Sequence, residues 1–222
     1  METLDAESLA LEFRSRVDAL PSPKVPRVRP IRRKFSRKIS SAQSEQVLQF
    51  AERLIGLDLR IWAYEIVHYH RPTLRTLDAA TIESLGRGLA DWASVDVFGG
   101  YLAGPAWVNR QIGDPDVHRW ARSPDRWWRR TALVATVGLN TKTRGGYGDT
   151  PRTLAVCQIL ADDRDDMVVK ALSWALRTLA NHDPPAVQHF LTTNHHRLAA
   201  RVIRETHNKL TTGIKNPRKK PG

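Results

Sequence analysis

Five segments of similar character recur along this chain. Each opens on a polar residue and continues with small and apolar residues at helical spacing: Arg60 (RIWAYEIV), Asp96 (DVFGGYLA), Arg130 (RTALVATV), Lys170 (KALSWALR) and Arg197 (RLAARVIR). The first three spacings are 36, 34 and 40 residues, and the last is 27. A helical unit recurring at roughly 20–50 residues buries its apolar side only by stacking on its neighbours. The pattern therefore predicts an all-α, HEAT-like helical repeat solenoid. Such an array is curved, its anchors fall on one wall, and the basic residues of separate repeats line a concave surface. The alternative is an ordinary helical bundle whose buried helices look alike.

Strand-like alternation is absent, and Gly and Pro fall mostly between apolar-periodic segments. Helices are predicted at Glu2–Ala19, Val28–Lys38, Ser44–Ile55, Leu57–His68, Asp78–Leu89, Ser94–Leu102, Val117–Ala121, Arg126–Leu139, Thr150–Leu160, Asp166–Ala180, Pro184–Thr193 and His196–Asn208. Start signals support several of them. Asp78 precedes an apolar run, Ser123-Pro-Asp precedes the Trp127 helix, and Asp149-Thr-Pro places Pro151 in a first turn. Three parts follow: an acidic N-terminal helix (1–23) able to pack on the array, a repeat domain (24–208) and a basic, flexible tail (209–222).

No apolar run approaches the roughly 18–20 residues that span a bilayer. The segment METLDAESLALEF is acidic and amphipathic, unlike a secretory signal. One cysteine, Cys157, excludes an internal disulfide and a cysteine-based metal cluster. These features point to a cytoplasmic, monomeric protein with no membrane partner. The formal net charge is +12, which favours an anionic partner such as nucleic acid.

The charge is unevenly placed. Lys24 to Lys38 (KVPRVRPIRRKFSRK) holds eight basic residues and no acid, and Lys215 to Lys220 holds four more. Apolar punctuation at Val25, Val28, Ile31, Phe35 and Ile39 suggests that the first cluster is a helix with one apolar and one basic face. The second reads as a solvated tail contacting phosphate nonspecifically.

Trp92, Asp96, Arg130 and Trp174 stand out against this background. Trp92 and Asp96 are four apart and share a helical face. Arg130 lies one repeat later and Trp174 one beyond that, so a curved array brings the four towards one spot. Tryptophan faces attract cations, a carboxylate stabilises positive charge developing beside it and orients a water, and arginine grips phosphate through paired hydrogen bonds. That set suits cleavage of a glycosidic bond to a cationic base. The leaving group already carries its charge, so no general acid is needed, and one carboxylate serves an oxocarbenium-like transition state. The plainer reading is packing for the tryptophans and, for Asp96, a helix cap or the partner of a repeat arginine. Trp62, Trp107, Trp120 and Trp127 are assigned to packing or to a role the sequence does not show.

The segments LADWASVDVFGG, SPDRWWRRTALVAT and MVVKALSWALRTLA, in this order and spacing, resemble the AlkD-type DNA alkylation repair family. The resemblance spans about Val25 to Asn208. It implies a HEAT-like fold and monofunctional excision of N3- and N7-alkylated purines from duplex DNA, without a cofactor and without extruding the base into a pocket. It places the family's catalytic tryptophans on Trp92 and Trp174, its catalytic aspartate on Asp96 and its arginine on Arg130. In this reading Asp96 stabilises the oxocarbenium ion and positions water, while Arg130 holds a backbone phosphate. Arg32, Arg33, Arg129, Lys170 and Arg177 are expected to contact DNA. Ala93 follows Trp92 where relatives often carry Asp, and VPRVRPIRRKF lacks the Phe-x-Gly pattern that usually precedes it.

The remaining motifs are weak. His189, His195, His196 and His207 do not follow a zinc-ligand spacing, and no metal is expected. Gly145-Gly146-Tyr147-Gly148 lacks the Gly-Lys-Ser/Thr of a nucleotide loop. With Lys142 and Arg144 it is either a mobile loop against a phosphate or a plain connection. Cys157 reads as core. Besides a glycosylase, two other functions fit: a non-catalytic HEAT-repeat protein binding bent or branched DNA, and a protein-interaction scaffold.

Overall fold

The computed structural model describes residues 5–217. The expected start of the first helix at Glu2 and the last residues of the basic tail, 218–222, lie outside the described residues. All regular structure among the described residues is helical, with no strand. The chain divides into two compact units between Arg87 and Gly88, inside the span 24–208 that the sequence groups as one repeat domain.

The first unit holds α1 (Ala6–Asp18), α2 (Val25–Lys38), α3 (Ser44–Gly56), α4 (Arg60–Tyr69), α5 (Arg71–Thr76) and α6 (Ala79–Gly86). Helix α1 starts where the Asp5 carboxylate accepts the amides of Glu7 and Ser8. It packs on α2 and α3, α2 packs on α4, and α3 on α5, so alternate helices stack as in a repeat array. Phe13, Phe35 and Phe50 form the core, with ring centroids 5.0 Å apart for the first pair and 6.1 Å for the second.

Helix α2 has the two faces its sequence requires. Val28 and Phe35 are buried, as is Ile39 just beyond the helix, while Arg27, Arg29, Arg33, Lys34 and Arg37 are exposed. Val25 departs from the pattern and is exposed. Two predicted helices are shorter than expected for a backbone reason. Asp58 takes a left-handed φ of 59°, so α4 starts at Arg60 and not at Leu57. Gly88 (φ 74°) marks the turn beyond α6, which ends at Gly86 short of Leu89. Helix α5 was not expected. Pro72 sits in its first turn and the His70 ring accepts the Thr73 amide.

The second unit holds α7 (Trp92–Phe98), a π-helical turn (Gly99–Ala103), α8 (Gly104–Val108), α9 (Asp114–Ala121), α10 (Arg126–Leu139), a 3-10 turn (Lys142–Arg144), α11 (Thr150–Ile159), α12 (Asp166–Leu179), α13 (Pro184–Thr193) and α14 (Ala200–Thr212). Helix α10 packs on α12 and α12 on α14, forming one layer that continues through α7 and α8 on the other side of α10. Helices α9 and α11 pack together behind it. The predicted helix Ser94–Leu102 is part of a longer run from Trp92 to Val108, interrupted by the π turn. This run crosses α10 at near backbone contact: a Cβ on Gly104 would lie 3.3 Å from the Gly138 Cα, and one on Gly138 would lie 3.0 Å from the Gly104 Cα. A side chain at either place would press the two backbones apart, so glycine at both suits that crossing.

The repeat shows most directly as a ladder of side-chain pairs. Asp96–Arg130, Arg129–Asp163, Asp162–Arg197 and Asp166–Arg201 each join residues 34 or 35 apart. Arg197 is not the helix anchor that its sequence suggests. Asn194 and its neighbours form a turn there, with the amides of Arg197 and Leu198 both donating to the Asn194 carbonyl, so α14 begins at Ala200 and not at His196. Helix α14 also continues to Thr212, where Gly213 ends it in a left-handed conformation, past the expected boundary at 208.

Candidate active site

Asp91 opens α7 by accepting the amides of Ala93 and Ser94. The cap fixes Trp92 as the first helical residue, 57 % exposed, and places Asp96 one turn further along. Close packing of α7 and α8 on α10 then brings Asp96 to Arg130. The guanidinium grips the carboxylate at two points, Nε to Oδ1 at 2.9 Å and Nη2 to Oδ2 at 2.9 Å. Its Nη1 donates to the Met167 carbonyl at the start of α12.

Trp92, Asp96, Arg130 and Trp174 line one open cavity of about 630 Å³. The grouping expected from sequence is thus assembled, and from three helices of the same unit, α7, α10 and α12. The Asp96 side chain is 21 % exposed, that of Arg130 only 6 %. Burial pushes the Asp96 carboxyl above the ordinary carboxylate range, opposed by the Arg130 hydrogen bonds and charge and by the charge of Arg144.

Arg130 does not fit the phosphate contact expected of it. Each of its three guanidinium nitrogens already has a protein partner, and the side chain is buried. Its geometry is that of a clamp holding Asp96 to the first turn of α12.

The residues expected to contact DNA fare unevenly. Arg33 is exposed on α2, but Arg32 is buried, with its Nε 2.9 Å from the equally buried Glu65. Inward-pointing Arg32 falls on the apolar phase of α2, four residues after Val28. Arg129 is tied to Asp163 at 2.7 Å and to the carbonyls of Ser123 and Pro124, so it fastens the start of α10. Lys170 and Arg177 line the cavity. Lys170 is 2.6 Å from Asp166, and Arg177 donates to the Ser173 hydroxyl at 3.1 Å.

Several cavity residues were not anticipated. Helix α14 contributes Arg201, Arg204 and Glu205, and the segment after it contributes Lys215. Glu205 is buried, accepts from the Ser173 hydroxyl at 2.7 Å and lies 3.4 Å from the Lys215 Nζ. One signal was available: Glu205 shares the buried phase of α14 with Val202 and Thr206, and an acid at a core position calls for a partner. Lys215 was assigned to the flexible tail, yet it packs back on Glu205.

The glycine-rich connection is a packed loop. Gly146 and Gly148 donate their amides to Thr141 and Leu139, and a Cβ on Gly148 would meet the His182 ring. Cys157 is fully buried, and burial pushes its thiol upwards, as for a core residue. Of the tryptophans assigned to packing, Trp62, Trp107 and Trp120 are buried. Among the described residues no group of three or more His, Cys, Asp or Glu could hold a metal, and no helix is long and apolar enough to cross a membrane.

Comparison with known proteins agrees with this organisation. No curated protein and no solved structure matches the chain. The family model described as "DNA alkylation repair enzyme" matches residues 17–210, which covers both helical units and every residue from Trp92 to Trp174. The chain belongs to the DNA alkylation repair enzyme family.

Proposed function

We propose that this protein is a DNA glycosylase that hydrolyses the N-glycosidic bond of cationic N3- and N7-alkylated purines in duplex DNA. One observation carries the reading: a carboxylate raised by burial opens into a cavity walled by two tryptophans and rimmed with arginine and lysine. A polyanion carrying a local positive charge is the complementary ligand.

Each residue has a part in this chemistry. The faces of Trp92 and Trp174 attract the cationic nucleoside, an interaction that strengthens as water leaves. As the bond to the base breaks, the electron pair departs with the base and neutralises it, while positive charge passes to the sugar. Asp96 stabilises that oxocarbenium ion and orients the water that adds to it, leaving an abasic site and a free base. Arg130 keeps the carboxylate aimed at the sugar. Holding phosphate falls to the cavity cations, with Arg177 and Arg204 foremost. Arg33 and its exposed neighbours on α2 add nonspecific affinity.

A second reading has its own observation. Asp96–Arg130 has the same 34-residue spacing as Arg129–Asp163 and is within one residue of that of Asp162–Arg197, so the pair also serves as a rung of the repeat ladder. A protein that binds DNA without excision would need nothing more from it. Release of 7-methylguanine or 3-methyladenine from methylated duplex DNA, compared between wild type and Asp96→Asn, separates the two. Release that vanishes in the variant supports the enzyme; salt-sensitive binding with no release in either protein supports the binding module.

A further inference from the structure

We propose that Arg144 is a positioning residue for Asp96, presenting a second positive charge to its carboxylate from a notch in the α7 run left by Gly100. The proposal deepens the glycosylase reading and rests on it for its catalytic consequence, although the coupling itself can be measured without activity.

Three features of the chain place Arg144 there. The first is the loop. After α10 the backbone makes the 3-10 turn Lys142–Arg144, reverses at Gly145 with φ 89°, and is pinned to the end of α10 by the Gly146 and Gly148 amides. A Cβ on Gly146 would overlap the Gly138 and Leu139 backbone, so the loop lies too close for any other residue. The connection is therefore built to fix the direction of Arg144.

The second is the notch. A Cβ on Gly100 would fall 2.9 Å from the Arg144 Cζ and nearer still to its Nη1, so the guanidinium fills the space that a side chain would take. Gly100 lies four residues after Asp96, the spacing that puts two residues on one helical face. It also lies within the π turn, a local widening of the helix that is found often at functional sites. The neighbouring Tyr101 ring sits 5.5 Å from the Arg144 Cζ.

The third is the cost of the arrangement. The Arg144 Nη1 is buried and makes no hydrogen bond among the described residues. An unpaired guanidinium nitrogen is expensive, and one that persists calls for a reason. Electrostatics supplies it. Burial lowers the Arg144 pKa, opposed by Tyr101 and Asp96, and the charge of Arg144 in turn lowers that of Asp96. Arg130 pins and neutralises the carboxylate by direct hydrogen bonds. Arg144 acts through space and leaves the carboxylate oxygens free of a further bond.

The other charged groups around Asp96 bear on its titration. Asp91, at the head of its own helix, raises it, and Arg130 of α10 lowers it. Lys170 and Arg177 of α12 line the same cavity, as do Arg201, Arg204 and Glu205 of α14 and Lys215 after it. Most of these are committed elsewhere: Lys170 and Arg201 to Asp166, and Lys215 to Glu205.

The test follows the Asp96 carboxyl by carbon-13 NMR across pH, with Asp96→Asn assigning the resonance. Arg144→Gln removes the charge, Arg144→Lys keeps it, and Gly100→Ala keeps it but closes the notch. The midpoint is expected to shift upwards in Arg144→Gln and Gly100→Ala and to stay near wild type in Arg144→Lys. The acid limb of base release moves by the same amount in each variant. Wild-type and Arg144→Gln midpoints that coincide in folded protein overturn the proposal. If Arg144→Gln does not fold, an unshifted midpoint in Gly100→Ala does the same. A shifted midpoint in a protein that releases no base supports the coupling and overturns the glycosylase reading alone.

Discussion

Asp96 and Arg130, 34 residues apart in the chain, form a two-point ion pair in which both carboxylate oxygens and two guanidinium nitrogens are used. The third nitrogen ties the pair to the carbonyl of Met167, so three helices meet at one planar group. Lysine cannot reproduce that fork. Arg130→Lys and Arg130→Met are therefore both expected to impair excision. Arg130→Met leaves a partly buried carboxylate without its partner and should destabilise the fold by about 1–3 kcal/mol. Urea unfolding paired with base release checks both effects. Full stability in Arg130→Met would show that the pair does not brace the helices.

The pH dependence has a definite sign. Asp96 must be charged to stabilise an oxocarbenium ion, and burial raises its pKa. Excision should therefore fail on the acid side at a pH above the ordinary aspartate value. The stability effect of the same group runs the other way. Its folded pKa lies above the unfolded one, so its contribution is least favourable at neutral pH and improves as pH falls through that interval. Asp162 and Asp166 oppose it. Their arginine and lysine partners hold both below the usual carboxylate range, and the stability they add is lost as pH falls through their folded values. Single-turnover release against pH, alongside unfolding of wild type and Asp96→Asn, tests the sign. An acid limb at or below the ordinary aspartate range would contradict it.

The two cavity tryptophans differ in burial and should differ in phenotype. Trp92 is 57 % exposed, so Trp92→Ala should leave the unfolding midpoint almost unchanged. A cation–π contact of about 0.5–2 kcal/mol corresponds to a loss of release of up to roughly 30-fold. Trp174 is half-buried within α12, and Trp174→Ala should cost both release and stability. Comparing single-turnover rates with thermal midpoints separates these outcomes.

Adjacent arginines on α2 make a sharper contrast. Arg33 is exposed, and Arg33→Gln should flatten the slope of log affinity against log salt by about 0.9 with little effect on folding. Arg32 is paired with buried Glu65, and Arg32→Met leaves that carboxylate only its longer, 3.8 Å contact with the half-exposed Arg29, at a cost of up to about 3–5 kcal/mol. Salt-titrated DNA binding and urea unfolding of the two variants measure this directly.

Much of this is legible in the sequence. The helical repeat, the amphipathic α2 and the boundaries of α10 and α13 follow from periodicity and capping residues, which are local signals. The shared cavity of Trp92, Asp96 and Trp174 follows from repeat phase. What escaped depends on contacts between residues distant in sequence. The family resemblance gives Arg130 a phosphate contact, but neither it nor the residue type shows that the guanidinium is buried with every nitrogen partnered. Arg32 stands in a basic run expected at DNA, yet its place on the apolar phase of α2 turns it inwards to Glu65. The left-handed Asp58 and the turn at Asn194, which move the starts of α4 and α14 to later residues than expected, are backbone choices with weak sequence signatures. Lys215 was placed in a loose tail, since its contact with Glu205 joins two segments that carry no shared motif.

The central claim is that the Asp96 carboxylate performs chemistry as well as bracing the repeat. Release of 7-methylguanine and 3-methyladenine from methylated duplex DNA, by wild-type protein and by folded Asp96→Asn at matched DNA occupancy, tests it most directly. The account expects release well above the spontaneous rate from wild type and a loss on the order of 10²–10³ in the variant, with DNA binding retained. Equal release from the two proteins, or none above the spontaneous rate from wild type, would contradict it.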